Sequence, residues 1–412
     1  MADKVFRLLA GFLVMTFLAR HLGPEEFGIY AYIQAFTMIF LGIYSLGIDG
    51  ILVKSLLSEQ HKREEVLRTA FAIKIGGSLI GATTVTLIAL YFEDGTTRIT
   101  IILLAWSLIF QSTNVFDYQF QAEVKGKKTA TAQSIAIAIS SIIKIIAILL
   151  SADLAVLAGL LSLDAIILSV SYTSIFLRDK GRLPTPKLNL DMAKSLLAQS
   201  WSLIFSGTAV LVQARVDQIM LKHYSEPSEL GHYAVALMCI EAIAFPAAII
   251  KQSLTPAVVN AKNADEALYR SRMANLYRLS FLLFVASALA TLVLVAPAVE
   301  FFFGPAYAPA VGLLTLYSFR LFFSYATVAR STYMMIENLL PYALLSLLLS
   351  TAINIAANLF LIPALHAQGA ILATLISFAA PVFLFDLMNR RMHTNYRMMM
   401  RGIITPHKLT MG

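Results

Sequence analysis

Gly23-Pro-Glu-Glu-Phe-Gly28, continued by Ile29-Tyr-Ala-Tyr32, is a short turn-forming break between two apolar runs. It returns 203 residues later as Glu226-Pro-Ser-Glu-Leu-Gly231, continued by His232-Tyr-Ala-Val235. Pro24, Glu26, Gly28, Tyr30 and Ala31 recur as Pro227, Glu229, Gly231, Tyr233 and Ala234. The physical content is a helix end, a proline-led turn and a glycine where the next helix can begin close to its neighbour. Taken alone, the motif is only a tight turn. Its recurrence after the same number of apolar runs makes internal duplication the better explanation.

Outward from these two turns the chain is apolar. Of 412 residues 58% are hydrophobic and 14% charged, and the mean hydropathy is +0.74; soluble domains carry roughly 45–50% apolar and about 25% charged residues. The excess must face lipid. This excludes a disordered chain, a disulfide scaffold and a basic DNA-binding domain, and the one cysteine, Cys239, has no partner for an internal bridge. Apolar runs bounded by charges or turn formers predict twelve helices, near 5–20, 29–52, 69–92, 99–121, 133–150, 154–177, 200–222, 232–250, 275–296, 309–330, 339–361 and 368–389. They are uniformly apolar rather than alternating, which is the pattern of helices and not of barrel strands. The run from Val5 to Arg20 reads as a span that stays, not as a cleaved leader.

Lys and Arg set the orientation. They gather in the connections after spans two, four, six and eight: Lys54, Lys62, Arg63 and Arg68; Lys125, Lys127 and Lys128; Arg178, Lys180, Arg182, Lys187 and Lys194; Lys251, Lys262, Arg270, Arg272 and Arg278. The tail adds Arg390, Arg391, Arg397, Arg401 and Lys408. Both termini are therefore expected in the cytoplasm. The net charge of +8 becomes a topology signal, and no nucleic-acid partner is expected. The connection from Arg178 to Ser200, with Gly181, Pro184 and Pro186, divides the spans six and six. The expected organisation is a six-helix lobe over 1–180, a cytoplasmic linker with an amphipathic segment over 181–199, a second lobe over 200–390 and a basic tail over 391–412. An even number of spans per half makes the repeat parallel, the plan of transporters that rock two lobes about a midplane site.

The motifs resemble a known family. Leu18-Ala-Arg-His-Leu-Gly-Pro-Glu-Glu-Phe-Gly28, Ser45-Leu-Gly-Ile-Asp-Gly-Ile-Leu-Val-Lys54, Val216-Asp-Gln-Ile-Met-Leu221, Phe302-Phe-Gly-Pro-Ala-Tyr307 and Gln368-Gly-Ala-Ile-Leu-Ala-Thr374 are similar to stretches of the Wzx-like polysaccharide flippases. These belong to the multidrug/oligosaccharidyl-lipid/polysaccharide exporter superfamily. The resemblance implies an all-α polytopic membrane protein, its twelve transmembrane helices in two six-helix lobes forming a V-shaped bundle around a central cavity. It also implies non-enzymatic, alternating-access export of polyprenyl-(di)phosphate-linked oligosaccharides across the cytoplasmic membrane, with no cofactor. Twelve spans, without the two extra helices of lipid II flippases, point to O-antigen or exopolysaccharide units. Membrane lipids, a polysaccharide polymerase and glycosyltransferases are the implied partners.

Ionisable residues inside spans are the sharpest site candidates, because they are costly there. Lys144, Asp164, Arg215, Glu241 and Arg320 fall well inside, with Asp217 nearer the outer face. Lys144, Arg215 and Arg320 are candidate contacts for a phosphate or acidic sugar, arginine through its planar donor fork. Asp164, Asp217 and Glu241 are candidate coupling carboxylates. The competing reading is internal pairing, Lys144 with Asp164 and Arg215 or Arg320 with Glu241 or Asp217, and the two readings can coexist. Arg20 lies, by the resemblance, near the outer end of the cavity; its plainer reading is a snorkelling interfacial arginine. Asp49, Lys74 and Asp117 are placed as a cytoplasmic gate, against snorkelling for Lys74 and Asp117. Asn354 and Asn358, and the glycine groups Gly42, Gly47, Gly50 and Gly76, Gly77, Gly81, are assigned to helix packing. Met398, Met399 and Met400 are expected to face lipid from the tail. The histidines form no H-E-x-x-H, and no metal site is expected.

Two other functions compete. A membrane glycosyltransferase or polymerase would need carboxylates or a metal held around the bond in sizeable outer loops, and those loops are short. A cation-coupled multidrug exporter should favour acidic sites, whereas the deep charge is balanced or basic.

Overall fold

Lipid offers no hydrogen bonds, so a chain this apolar satisfies its backbone within helices. The computed structural model describes residues 2–409, and among these every regular element is helical. The last residues of the expected tail, 410–412, lie outside the described residues. Nine helical stretches among the described residues are long and apolar enough to cross a membrane. A tenth is the pair Pro305–Tyr317 and Arg320–Ile336, bent by 40°.

Two of the nine contain a reversal. Gly23 takes φ 71° inside Ala2–Ile39, and Gln34 consequently lines the same cavity as Gly11, Val14 and Met15, which a straight helix would hold about 30 Å away. His366 takes φ 50° inside Leu340–Ala379, and a methyl group on Gly369 would collide with the Leu361 carbonyl. The ten stretches thus hold the twelve expected spans. The repeated motif has repeated burial: Tyr30 and Tyr233 are buried, as are Ala31 and Ala234.

Glycines permit the close crossings. A Cβ on Gly77 would lie 2.9 Å from the Tyr44 carbonyl oxygen, and one on Gly81 would lie 2.6 Å from the Tyr44 ring. Gly47, at φ 67°, has the Ser200 carbonyl 2.7 Å from its would-be Cβ. Gly76, by contrast, faces open space. Asn354 and Asn358 are fully buried and joined at 3.3 Å, consistent with packing.

The chain divides into two compact units, Met1–Ile219 and Met220–Gly412. The amphipathic stretch after the linker prolines is continuous with span seven in one helix, Leu190–Tyr224. Its Ala193 and Leu196 are buried with Ile48, Leu52, Leu56 and Val66 of the first unit. In the second unit the tail departs from expectation. The helix His393–Ile404 buries Met398 and Met399, so these two do not face lipid. Tyr277 donates to the Asn395 side chain at 2.8 Å, and Gly402 sits against the Tyr277 and Arg278 backbone. The tail's 3.6-residue apolar stripe is spent on its own lobe.

Candidate functional site

Span five, Gly126–Leu149, carries Gln133, Ile137, Ser140, Ser141 and Lys144, a stripe at helical spacing. That stripe faces Asp164 and Leu168 of span six and Arg7, Gly11 and Val14 of span one, around a cavity of about 420 Å³ within the first unit. Lys144 Nζ meets Asp164 Oδ2 at 2.5 Å, and Ser140 donates to the other oxygen of the same carboxylate. Arg7 donates to Gln133, whose amide donates in turn to Tyr172 at 2.7 Å. From Gln133 to Lys144 the stripe runs about 16 Å along the helix, with a cation near each end and amide and hydroxyl groups between them. Such a lining offers donors to an anion and two-way hydrogen bonds to sugar hydroxyls.

Among the sequence candidates, the structure joins Lys144 with Asp164 and Lys74 with Asp49, the latter at 2.5 Å. Lys74 is buried and lies 5.5 Å from the centre of the Tyr118 ring, so it does not snorkel. Asp117 is also buried and accepts from Gln121 at 2.9 Å. Arg20 is exposed at the end of span one, where His21 meets the Ala152 carbonyl at 3.0 Å. On Leu190–Tyr224, Arg215 is half-buried and Asp217 buried. In the second unit Glu241 is exposed, and the Arg320 guanidinium lies 5.4 Å from the Tyr317 ring centre and 5.7 Å from that of Phe378, beside the bend of span ten. Among the described residues no three potential metal ligands converge.

Three features escaped the sequence reading. Arg7 and Gln133 line the cavity; the polar stripe at 133, 140, 141 and 144 was the available signal. Glu93, in the short connection between spans three and four, is buried and accepts from Tyr32. Arg330 and Asp386 form a buried pair, with Nε to Oδ2 at 2.9 Å and a terminal nitrogen to Oδ1 at 2.8 Å. Tyr342 donates to Asp386 at 2.8 Å, and Arg330 also donates to Ser346. In the connection between spans four and five, Glu123 meets Lys125 and Lys180, each at 2.6 Å. Burial works against its charge, but hydrogen bonds from Lys125, Lys180 and Gln119 outweigh it and hold the carboxyl at about 2.

A family model described as "Polysaccharide biosynthesis protein" matches residues 4–262. No curated protein matches the sequence. Among solved structures, an inward-facing multidrug resistance MATE family transporter of the MOP superfamily is similar with a TM-score of 0.70 at 13% identity, covering 98% of this chain and 95% of the other. The lipid II flippase MurJ, in an inward closed conformation, gives 0.69 at 14% identity over 98% and 91%. The MATE multidrug transporter DinF-BH gives 0.61 at 16% over 95% and 94%. At these identities the likeness is one of fold.

Proposed function

Because this chain belongs to the polysaccharide biosynthesis protein family, we propose that it is a flippase that turns lipid-linked oligosaccharide units from the cytoplasmic to the outer leaflet. The prenyl tail stays in lipid while the (di)phosphate and sugars pass along a polar lining, and the two six-helix halves alternate access. The observation that carries this reading is the first-unit cavity, where Arg7 and Lys144 outnumber the single carboxylate of Asp164 and amides and hydroxyls lie between them. Arg20, Arg215 and Arg320 serve as further anion contacts, and Asp217 and Glu241 as their pairing or coupling carboxylates. Asp49, Lys74 and Asp117 serve at the cytoplasmic gate. The protein resides in the cytoplasmic membrane with both termini inside. It supplies O-antigen or exopolysaccharide units to a polymerase, after glycosyltransferases have built them.

The fold shared with MATE transporters favours a second reading, a cation-coupled multidrug exporter. A cationic drug calls for an acidic cavity, and the charge here has the opposite sign. Liposomes carrying the purified protein and a defined polyprenyl-diphosphate glycan separate the two. Outward movement of the glycan supports the flippase, whereas accumulation of cationic dyes without glycan movement in any sugar context overturns it.

A further inference from the structure

The C-terminal helix His393–Ile404 divides cleanly by face. Met392, Asn395, Met398, Met399 and Gly402 are buried against the second unit, while Arg390, Arg391, Arg397 and Arg401 are exposed. From Leu387 to Gly412 the sequence holds no Asp or Glu. The preceding carboxylate, Asp386, is buried and held by Arg330 and Tyr342. Among the described residues none of these four guanidinium groups has an ion pair. Cations elsewhere on the cytoplasmic side do: Lys125 with Glu123, Lys128 with Asp179, and Lys262 with Glu337.

The helix lies at a definable depth. Gly402 packs on Tyr277 and Arg278, and Met399 and Ile403 lie beside Tyr277, Phe281 and Phe322. Arg278 is the last charged residue before the uncharged run 279–299 of span nine, so the helix crosses where that span passes from polar to apolar surroundings. Exposed apolar side chains flank the arginines, Met388 at one end and Ile404 at the other, 75% and 69% exposed. A soluble polyanion would satisfy the guanidinium groups and leave Met388 and Ile404 in water. A leaflet of acidic lipid satisfies both at once.

We propose that this helix is an interfacial anchor that binds anionic phospholipid headgroups of the adjacent leaflet through Arg390, Arg391, Arg397 and Arg401, independently of the transported substrate. Each basic residue near a charged leaflet contributes about fivefold in affinity. The test uses the full chain in nanodiscs of phosphatidylcholine and phosphatidylglycerol, with native mass spectrometry of the lipids retained on release. The wild type is expected to enrich phosphatidylglycerol, and R397Q/R401Q to lower that preference by roughly tenfold or more. The corresponding double lysine variant should keep most of it. Both side chains are exposed, so these pairs preserve the fold even where the quadruple glutamine variant does not. Retention of the two lipids in bulk proportion by the wild type, or wild-type preference in R397Q/R401Q, overturns the proposal. So does complete displacement of bound phosphatidylglycerol by polyglutamate, which would assign the arginines to an acidic protein.

Discussion

Asp164→Leu and Lys144→Met break the same ion pair, but the structure makes them unequal. The Lys144 side chain is 11% exposed and that of Asp164 38%. Removing Asp164 leaves a largely buried ammonium group without its partner carboxylate, which costs about 3–5 kcal/mol. Removing Lys144 leaves Asp164 open to the cavity and still hydrogen-bonded by Ser140, a loss nearer the ~1 kcal/mol of an exposed pair. The difference, about 2 kcal/mol or more, corresponds to roughly thirtyfold in the unfolding equilibrium. The double variant K144M/D164L removes both charges and should recover most of the stability of the wild type, since apolar replacement of a buried pair is often neutral. Unfolding of the purified protein in mixed micelles of rising SDS fraction measures the order. If K144M proves as unstable as D164L, or the double variant is no better than D164L, the burial argument is wrong. Glycan display measured beside stability then separates roles: a well-folded K144M that fails to support display marks Lys144 as a substrate contact, and full display by K144M/D164L marks the pair as structural.

Three further outcomes are expected. Asp386→Ala should destabilise the second unit by about 3–5 kcal/mol, because the Arg330 guanidinium loses its bidentate partner, while R330M/D386L should restore most of the loss; the same SDS titration checks both. Gly77→Val should abolish folded yield, because its new side chain meets the Tyr44 carbonyl at 2.9 Å, whereas Gly76→Ala, which faces open space, should leave the yield in size-exclusion profiles unchanged. Glu123 has its carboxyl held at about 2 against an ordinary 4.5, so its contribution is fully present above about 4.5 and is lost as the pH falls towards 2. The gap in melting temperature between wild type and E123Q should therefore be constant from pH 7 to 5 and close below that; a gap that widens on acidification refutes the assignment.

Much of the architecture was legible in one dimension. The bilayer acts as an external reference plane, so hydropathy and the placement of Lys and Arg mark depth residue by residue without knowledge of contacts. Spans, their number and the duplicated turn follow from that. Lys144 and Asp164 were legible as a pair because they lie on consecutive spans joined by a short connection, which leaves few partners within reach. The glycines at 77 and 81 were legible because only small side chains allow such close approach in lipid. The tail methionines were misread for the same reason that spans are easily read: an apolar side chain next to positive charge looks lipid-facing until a protein surface is found to cover it.

Sequence by itself determined a polytopic helical membrane protein, its spans and its charge asymmetry. What it left open was azimuth, the direction in which each side chain points around its helix. In water an apolar stripe marks the buried face, but lipid is as apolar as leucine, so a helix greasy on all sides carries no such mark. Only the tertiary structure decided that Arg7 turns towards Gln133 across 126 residues, that Arg330 finds Asp386, and that the tail arginines are left facing outward. Each depends on how helices distant in sequence rotate against one another, and packing between them sets that rotation.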